Sequence, residues 1–207
     1  MKRKLSGRFL AVVSAAAFTL SFANSGFAAD TIKFGVAGPH SGDLASYGLP
    51  SVNAAKLVAD KVNAAGGING KKIELLIEDD VCKPEVATNT ATKLVSSGAE
   101  VVLGHICSGA TKAALPIYNN ANILVMSPSA TNPGLTKSGD YPNFFRTIAP
   151  DDAQAKVDVD FALNTLGYTK IAVVHDKGDY GKGFAEFAKQ YLEESGKAEV
   201  VLFEGVT

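Results

Sequence analysis

This 207-residue chain predicts an α/β fold built on a parallel sheet. Three observations carry that expectation. Short runs rich in aliphatic and β-branched residues alternate with stretches whose apolar positions recur at helical spacing. The short runs are nearly continuously apolar, as in strands buried between helices on both faces of a parallel sheet. Glycines are frequent (20) and tryptophan is absent, which suits many tight turns between short elements.

Taken in order, Ile32 to Val36 is a strand ended by Gly38-Pro39. Leu49 to Ala65 carries Val52, Ala55, Val58, Ala59 and Val62 at helical spacing, and Gly66-Gly67 stops it. Ile73 to Ile77 is a strand followed by Glu78, Asp79 and Asp80, three acids that read as a solvated turn. Pro84 opens a helix with Ala87, Ala91, Leu94 and Val95 on one face and Gly98 at its end. Val101 to Leu103 and Ile123 to Met126 are strands, with a helix between them from Ser108 to about Asn120.

A turn-rich stretch from Ser127 to Asn143 and the run Phe144 to Pro150 close this first part, giving four βα units. The pattern then resumes with a helix from Asp151 to about Leu166, a strand from Ile171 to Val174, a helix around Phe184 to Leu192, and a strand from Val200 to Phe203. The chain stops directly after that strand, which predicts an incomplete second unit.

The N-terminus reads as an export signal. Lys2, Arg3, Lys4 and Arg8 form a positive segment, Phe9 to Ala23 is apolar and uncharged, and Gly26-Phe27-Ala28 offers small residues for cleavage after Ala28. The apolar run is shorter than the ~20 residues needed to span a bilayer. Four positive charges leave with the signal, taking the formal balance from -1 to about -5. Such an acidic chain has no electrostatic footprint for nucleic acid or anionic lipid. The predicted compartment lies outside the cytoplasm. The predicted divisions are a signal over 1–28, a first set of βα units over 29–149, and a second, truncated set over 150–207.

Two cysteines, Cys82 and Cys107, read most simply as a disulfide in an exported protein. The alternative makes Cys107 a nucleophile with His105 as its base, since residues two apart on a strand share a face. Nucleotide and hydrolase fingerprints are missing: Gly35-x-x-Gly38 lacks a third glycine, and neither GK[ST] nor G-x-S-x-G occurs. His40, His105 and His175 lie at separate strand ends without metal-ligand spacing. No metal and no cofactor are predicted.

Ligands of open parallel sheets bind beyond the carboxyl ends of the strands. Here those ends carry residues 38–42, 104–109 and 127–131, two of the three being rich in hydroxyls and small neutral residues. Ser108, just before a helix, suits either an anion such as a carboxylate or a plain helix cap.

The segments IKFGVAGPHS (32–41), NAAGGINGKKI (63–73), Asp79-Asp80-x-Cys82, GHICS (104–108), SPSAT (127–131) and HDKGDYGKG (175–183) resemble the periplasmic leucine/isoleucine/valine-binding proteins. These are the substrate-binding subunits of branched-chain amino-acid ABC transporters. The resemblance spans the mature chain and implies two Rossmann-like lobes around a cleft that holds an amino acid for a membrane ABC permease, without catalysis. It implies that Ser108 binds the ligand carboxylate, that the Ser129 carbonyl meets the ammonium, and that Thr131 contacts the charged head group. Tyr47 and Tyr180 then approach the ligand from the two lobes. Serine at 129, where many relatives have alanine, leaves the carbonyl contact intact. A sensor for an amide, urea or aromatic ligand on the same scaffold, or a secreted Cys/His enzyme, are the competing readings.

Overall fold

The computed structural model describes residues 31–206; the predicted export signal lies outside them. Strand β1 (Thr31–Gly38) leads into helix α1 (Ala45–Ala64), strand β2 (Lys72–Asp79), helix α2 (Pro84–Ser96), strand β3 (Val101–Leu103) and helix α3 (Ser108–Asn120). Strand β4 (Leu124–Ser127), the short helix α4 (Gly134–Lys137) and strand β5 (Phe144–Arg146) follow. All five strands are parallel, in the order β2-β1-β3-β4-β5. The predicted strands are all present. Phe144–Arg146, read only as a run, becomes a fifth strand beside β4.

The chain leaves β1 toward β2 on one side and returns to β3 on the other. The loops after β1 and β3 therefore part, and a crevice opens between them at the carboxyl ends. This reversal positions the site.

Helices α2 and α3 cover one face of the sheet, burying Leu94, Val102, Leu115, Tyr118 and Val125 almost completely. Helix α1 covers the other face through Val52 and Ala55 against Val36. The expected cover on both faces is incomplete among the described residues, because Leu124, Met126 and Phe145 on the α1 side remain 42%, 37% and 47% exposed. A helix about 10 Å wide spans only two or three strands spaced ~4.8 Å apart, so one helix does not shield five.

Helix α1 also starts four residues before the predicted Leu49, carrying Pro50 inside it. The additional turn lies against the loop after β1. A Cβ at Gly48 would stand 2.0 Å from the Pro39 carbonyl oxygen, so only glycine admits that approach.

Beyond Pro150, helix α5 (Asp151–Asp160) continues as a π-helical turn, Phe161–Thr165, in place of the last α-turns expected before Leu166. Strand β6 (Lys170–His175), helix α6 (Asp179–Ser195) and strand β7 (Glu199–Gly205) follow, with β6 and β7 paired in parallel as a separate two-stranded sheet. Ala155 and Val159 of α5, and Ala185 and Leu192 of α6, are buried where these helices pack together.

Candidate functional site

A cleft of about 560 Å³ lies between the loops after β1, β3 and β4 and the start of α6. Tyr47, Ser108, Ser129, Thr131 and Tyr180, the five residues singled out from sequence, all line it. Its volume falls within the roughly 300–1,000 Å³ usual for small-molecule sites.

Ser108 is the first residue of α3, and Cys107 is the flanking residue before it. The plain-cap reading of Ser108 is thereby corrected, since no side chain caps this helix. Its Oγ instead accepts hydrogen bonds from the backbone N–H groups of Thr131 (3.2 Å) and Asn132 (3.1 Å). Both lone pairs are occupied, and the hydroxyl proton has no acceptor among the described residues. The first backbone N–H groups of α3 have no intrahelical partners either, because the ladder begins with Thr111 N–H donating to the Cys107 carbonyl at 2.9 Å. One hydroxyl donor and a helix N-terminus thus converge where an anion is favoured.

The turn after β4 forms the adjoining wall. The Ser127 hydroxyl accepts from the N–H of Ser129 (3.2 Å) and Ala130 (2.9 Å) and donates to the His105 carbonyl (2.5 Å). That bond ties the turn to the loop after β3. On the far side, Tyr180 is held above the usual tyrosine range by burial and then by the negative field of Asp151, Asp158 and Asp176.

The Asp79–Asp80 pair is not the solvated turn expected. Asp79 accepts from the His40 N–H (2.8 Å), the Ser41 hydroxyl (2.5 Å) and the Val81 N–H (2.9 Å), joining the loops after β1 and β2. Burial pushes its carboxyl up, but these donors, Ser41 foremost, outweigh that and hold it below the ordinary range. Asp80 is fully buried and meets His105. Its partner stands 25 positions away, so no local signal in the sequence reveals the pairing.

Cys82 and Cys107 are joined by a disulfide with a Cα–Cα distance of 5.5 Å. The reading of Cys107 as a nucleophile served by His105 is overturned. The sulfur is bonded, and the imidazole, fully buried, is engaged by Asp80 at one nitrogen and Tyr118 at the other. The cleft residues that the sequence reading did not single out include Leu44, Ile106, Ile148, Gln154, Asp176 and Asp179. The two acids fall within HDKGDYGKG, from which only Tyr180 was taken, and their position around the start of α6 was the signal available. Asp176 accepts from the Gly178 N–H at 2.9 Å, and Asp179 lies 3.6 Å from Lys112 across the cleft.

Residues 31–206 match the family described as periplasmic binding protein. A leucine-, isoleucine-, valine-, threonine- and alanine-binding protein of Pseudomonas aeruginosa is 40% identical over 204 residues, 99% of this chain and 53% of the relative. The leucine-specific-binding protein of Salmonella typhimurium is 37% identical over 207 residues, 100% of this chain and 54% of the relative. Among solved structures, the branched-chain amino acid transporter substrate binding protein LivJ of Streptococcus pneumoniae, in complex with isoleucine, superposes with a TM-score of 0.76 at 37% identity. That superposition covers 86% of this chain and 50% of LivJ. The chain spans about half the length of the curated relatives it matches.

Proposed function

The chain belongs to the periplasmic binding protein family, and from that premise we propose that it binds a branched-chain or related aliphatic amino acid for delivery to a membrane ABC permease. The reading includes export to the periplasm with cleavage after Ala28, a first lobe over 29–149 and the start of a second over 150–207. It assigns no catalytic step.

The observation that carries it is the state of Ser108. A hydroxyl whose lone pairs are already filled by Thr131 and Asn132 can only donate. A donor-only hydroxyl at the start of a helix selects an anion with at least one free oxygen lone pair, as a carboxylate has. The Ser129 carbonyl and the Thr131 side chain, on the neighbouring turn, supply the acceptors an ammonium needs. Tyr47 and Tyr180 flank the cleft with aromatic surface for an aliphatic side chain. Relatives that bind leucine, isoleucine and valine support the choice of side-chain class.

Lobe closure over the ligand would present a changed surface to the permease. Titration calorimetry of the full-length protein with leucine, isoleucine, valine, alanine and phenylalanine tests the proposal. Tighter binding of the branched-chain members is expected, and no heat from any of the five would reject it.

A further inference from the structure

The turn facing the cleft is held from behind, and its hydrogen bonds can be counted. The N–H groups of Ser129 and Ala130 go to the Ser127 hydroxyl, and those of Thr131 and Asn132 go to Ser108. Among the carbonyls, Ala130 (3.3 Å) and Asn132 (2.8 Å) both accept from one guanidinium nitrogen of Arg146. The second nitrogen donates to the Thr136 hydroxyl. The Thr131 carbonyl accepts from the Asp151 N–H at 3.0 Å. Among the described backbone N–H and carbonyl groups of residues 129–132, only the Ser129 carbonyl is left without a partner.

Behind the same turn sits a carboxylate that stability alone does not explain. Asp151 is 0% exposed, and neither of its oxygens completes a hydrogen bond of normal geometry. The Thr131 hydroxyl and the Arg146 guanidinium favour its charged form, but burial prevails and raises its carboxyl above the ordinary range. Its neighbour Asp152 is taken by Lys137 on α4. A buried, incompletely satisfied carboxylate is unfavourable for folding, yet this one stands directly behind a threonine that lines the cleft.

Building on the amino-acid-binding reading, we propose that Arg146 and Asp151 are positioning residues for the ammonium end of the site. Arg146 gathers the carbonyls on either side of Thr131, which leaves the Ser129 carbonyl as the acceptor offered to the ligand. Asp151 orients the Thr131 hydroxyl and places negative charge behind it. Neither residue touches the ligand.

The test measures binding of leucine and of 4-methylpentanoate, which is leucine without its amino group, to the full-length protein and two variants. Arg146→Lys keeps the charge but replaces the planar fork with a point donor that cannot hold both carbonyls in the same way. Asp151→Asn keeps the shape and removes the charge. Each is expected to weaken leucine by roughly tenfold, about one charge-assisted hydrogen bond, and to leave 4-methylpentanoate nearly unchanged, read by competition where it binds weakly. Asp151→Asn is also expected to melt no lower than the unaltered protein at pH 7, which a purely structural role would not allow. Equal losses for both ligands, or an unchanged leucine-to-analogue ratio, would overturn the inference while the functional reading stands. If Arg146→Lys fails to fold, Asp151→Asn decides alone. Failure of the unaltered protein to bind any of the five amino acids would reject the functional reading, and this inference with it.

Discussion

The Asp80 carboxylate and the His105 imidazole meet at 2.5 Å with neither side chain reached by solvent. Asp80 also accepts from the Cys82 N–H (2.8 Å), and the second imidazole nitrogen of His105 lies 3.0 Å from the Tyr118 hydroxyl. Burial and the nearby Asp80 charge hold the Tyr118 phenol far above its ordinary range, so it stays a neutral hydrogen-bonding group. The chain of contacts joins the loops after β2 and β3 to the middle of α3, and the disulfide joins the same two loops. Together they hold Ser108 in place from beneath.

Removing the middle member should therefore be severe. His105→Phe leaves Asp80 buried without its partner and is expected to destabilise the fold by about 3–5 kcal/mol. Tyr118→Phe removes one neutral contact and should lower stability by only about 1 kcal/mol. Urea unfolding of the two variants side by side checks the ordering, and equal effects would show that the buried pair is not the anchor.

The disulfide closes a loop with a sequence separation of 25. On the chain-entropy account its loss should lower stability by roughly 3–4 kcal/mol. A Cys82→Ala/Cys107→Ala double variant, melted beside the oxidised protein, measures this. Alkylation of the unreduced, unfolded protein should modify no cysteine, and two modified cysteines in the mass spectrum would refute the bridge.

Ser108→Ala removes the hydroxyl proton and, with it, the acceptor of two backbone N–H groups. Amino-acid binding by the full-length protein should weaken by roughly 1–3 kcal/mol, the range for a hydrogen bond to a charged group. Calorimetry with leucine reads the loss. Unchanged affinity in a folded variant would remove Ser108 from the site.

Asn132 reaches across the cleft, its side-chain N–H₂ donating to the Asp179 carbonyl at 3.2 Å. The same side chain accepts from the Gly134 N–H at 2.9 Å. Asn132→Ala should therefore reduce affinity by about 0.5–1.5 kcal/mol, a typical net hydrogen-bond contribution, expressed mainly as faster ligand release. Stopped-flow displacement distinguishes this from slower association, which would contradict a role in keeping the cleft shut.

Both ring nitrogens of His40 are buried without partners, and burial lowers its imidazole below the ordinary 6.5 despite the opposing fields of Asp79 and Asp80. The folded state thus resists a proton that the unfolded chain accepts. The stability His40 contributes is complete above pH 6.5 and falls as pH drops through its lowered value. Asp151, shifted upward, acts with the opposite sign, so the comparison must be made against a variant. His40→Leu should show a flatter decline of stability between pH 7 and 5 in denaturant titrations, and an identical slope would count against the assignment.

The fold was legible because its signals are local. Ile73 to Ile77, Val101 to Leu103 and Ile171 to Val174 announce strands within a few residues, and Gly66-Gly67 and Gly98 mark helix ends whatever lies elsewhere. The candidate site was legible in part for the same reason: GHICS and SPSAT place Ser108, Ser129 and Thr131 at strand ends, and a parallel sheet collects strand ends on one side.

Tertiary structure decided the rest. That Asp80 is buried against His105 rather than solvated depends on the loops after β2 and β3, on either side of β1, meeting at one end of the sheet, and no periodicity encodes it. That Ser108 is a donor and not a cap depends on two N–H groups 23 and 24 positions away. That Arg146 and Asp151 stand behind Thr131 depends on β5 joining the sheet beside β4. Helix and strand periodicity follow from neighbouring residues along the chain, whereas the hydrogen-bond partner of a buried polar group is fixed by which distant segments the packed sheet brings within hydrogen-bonding distance of it.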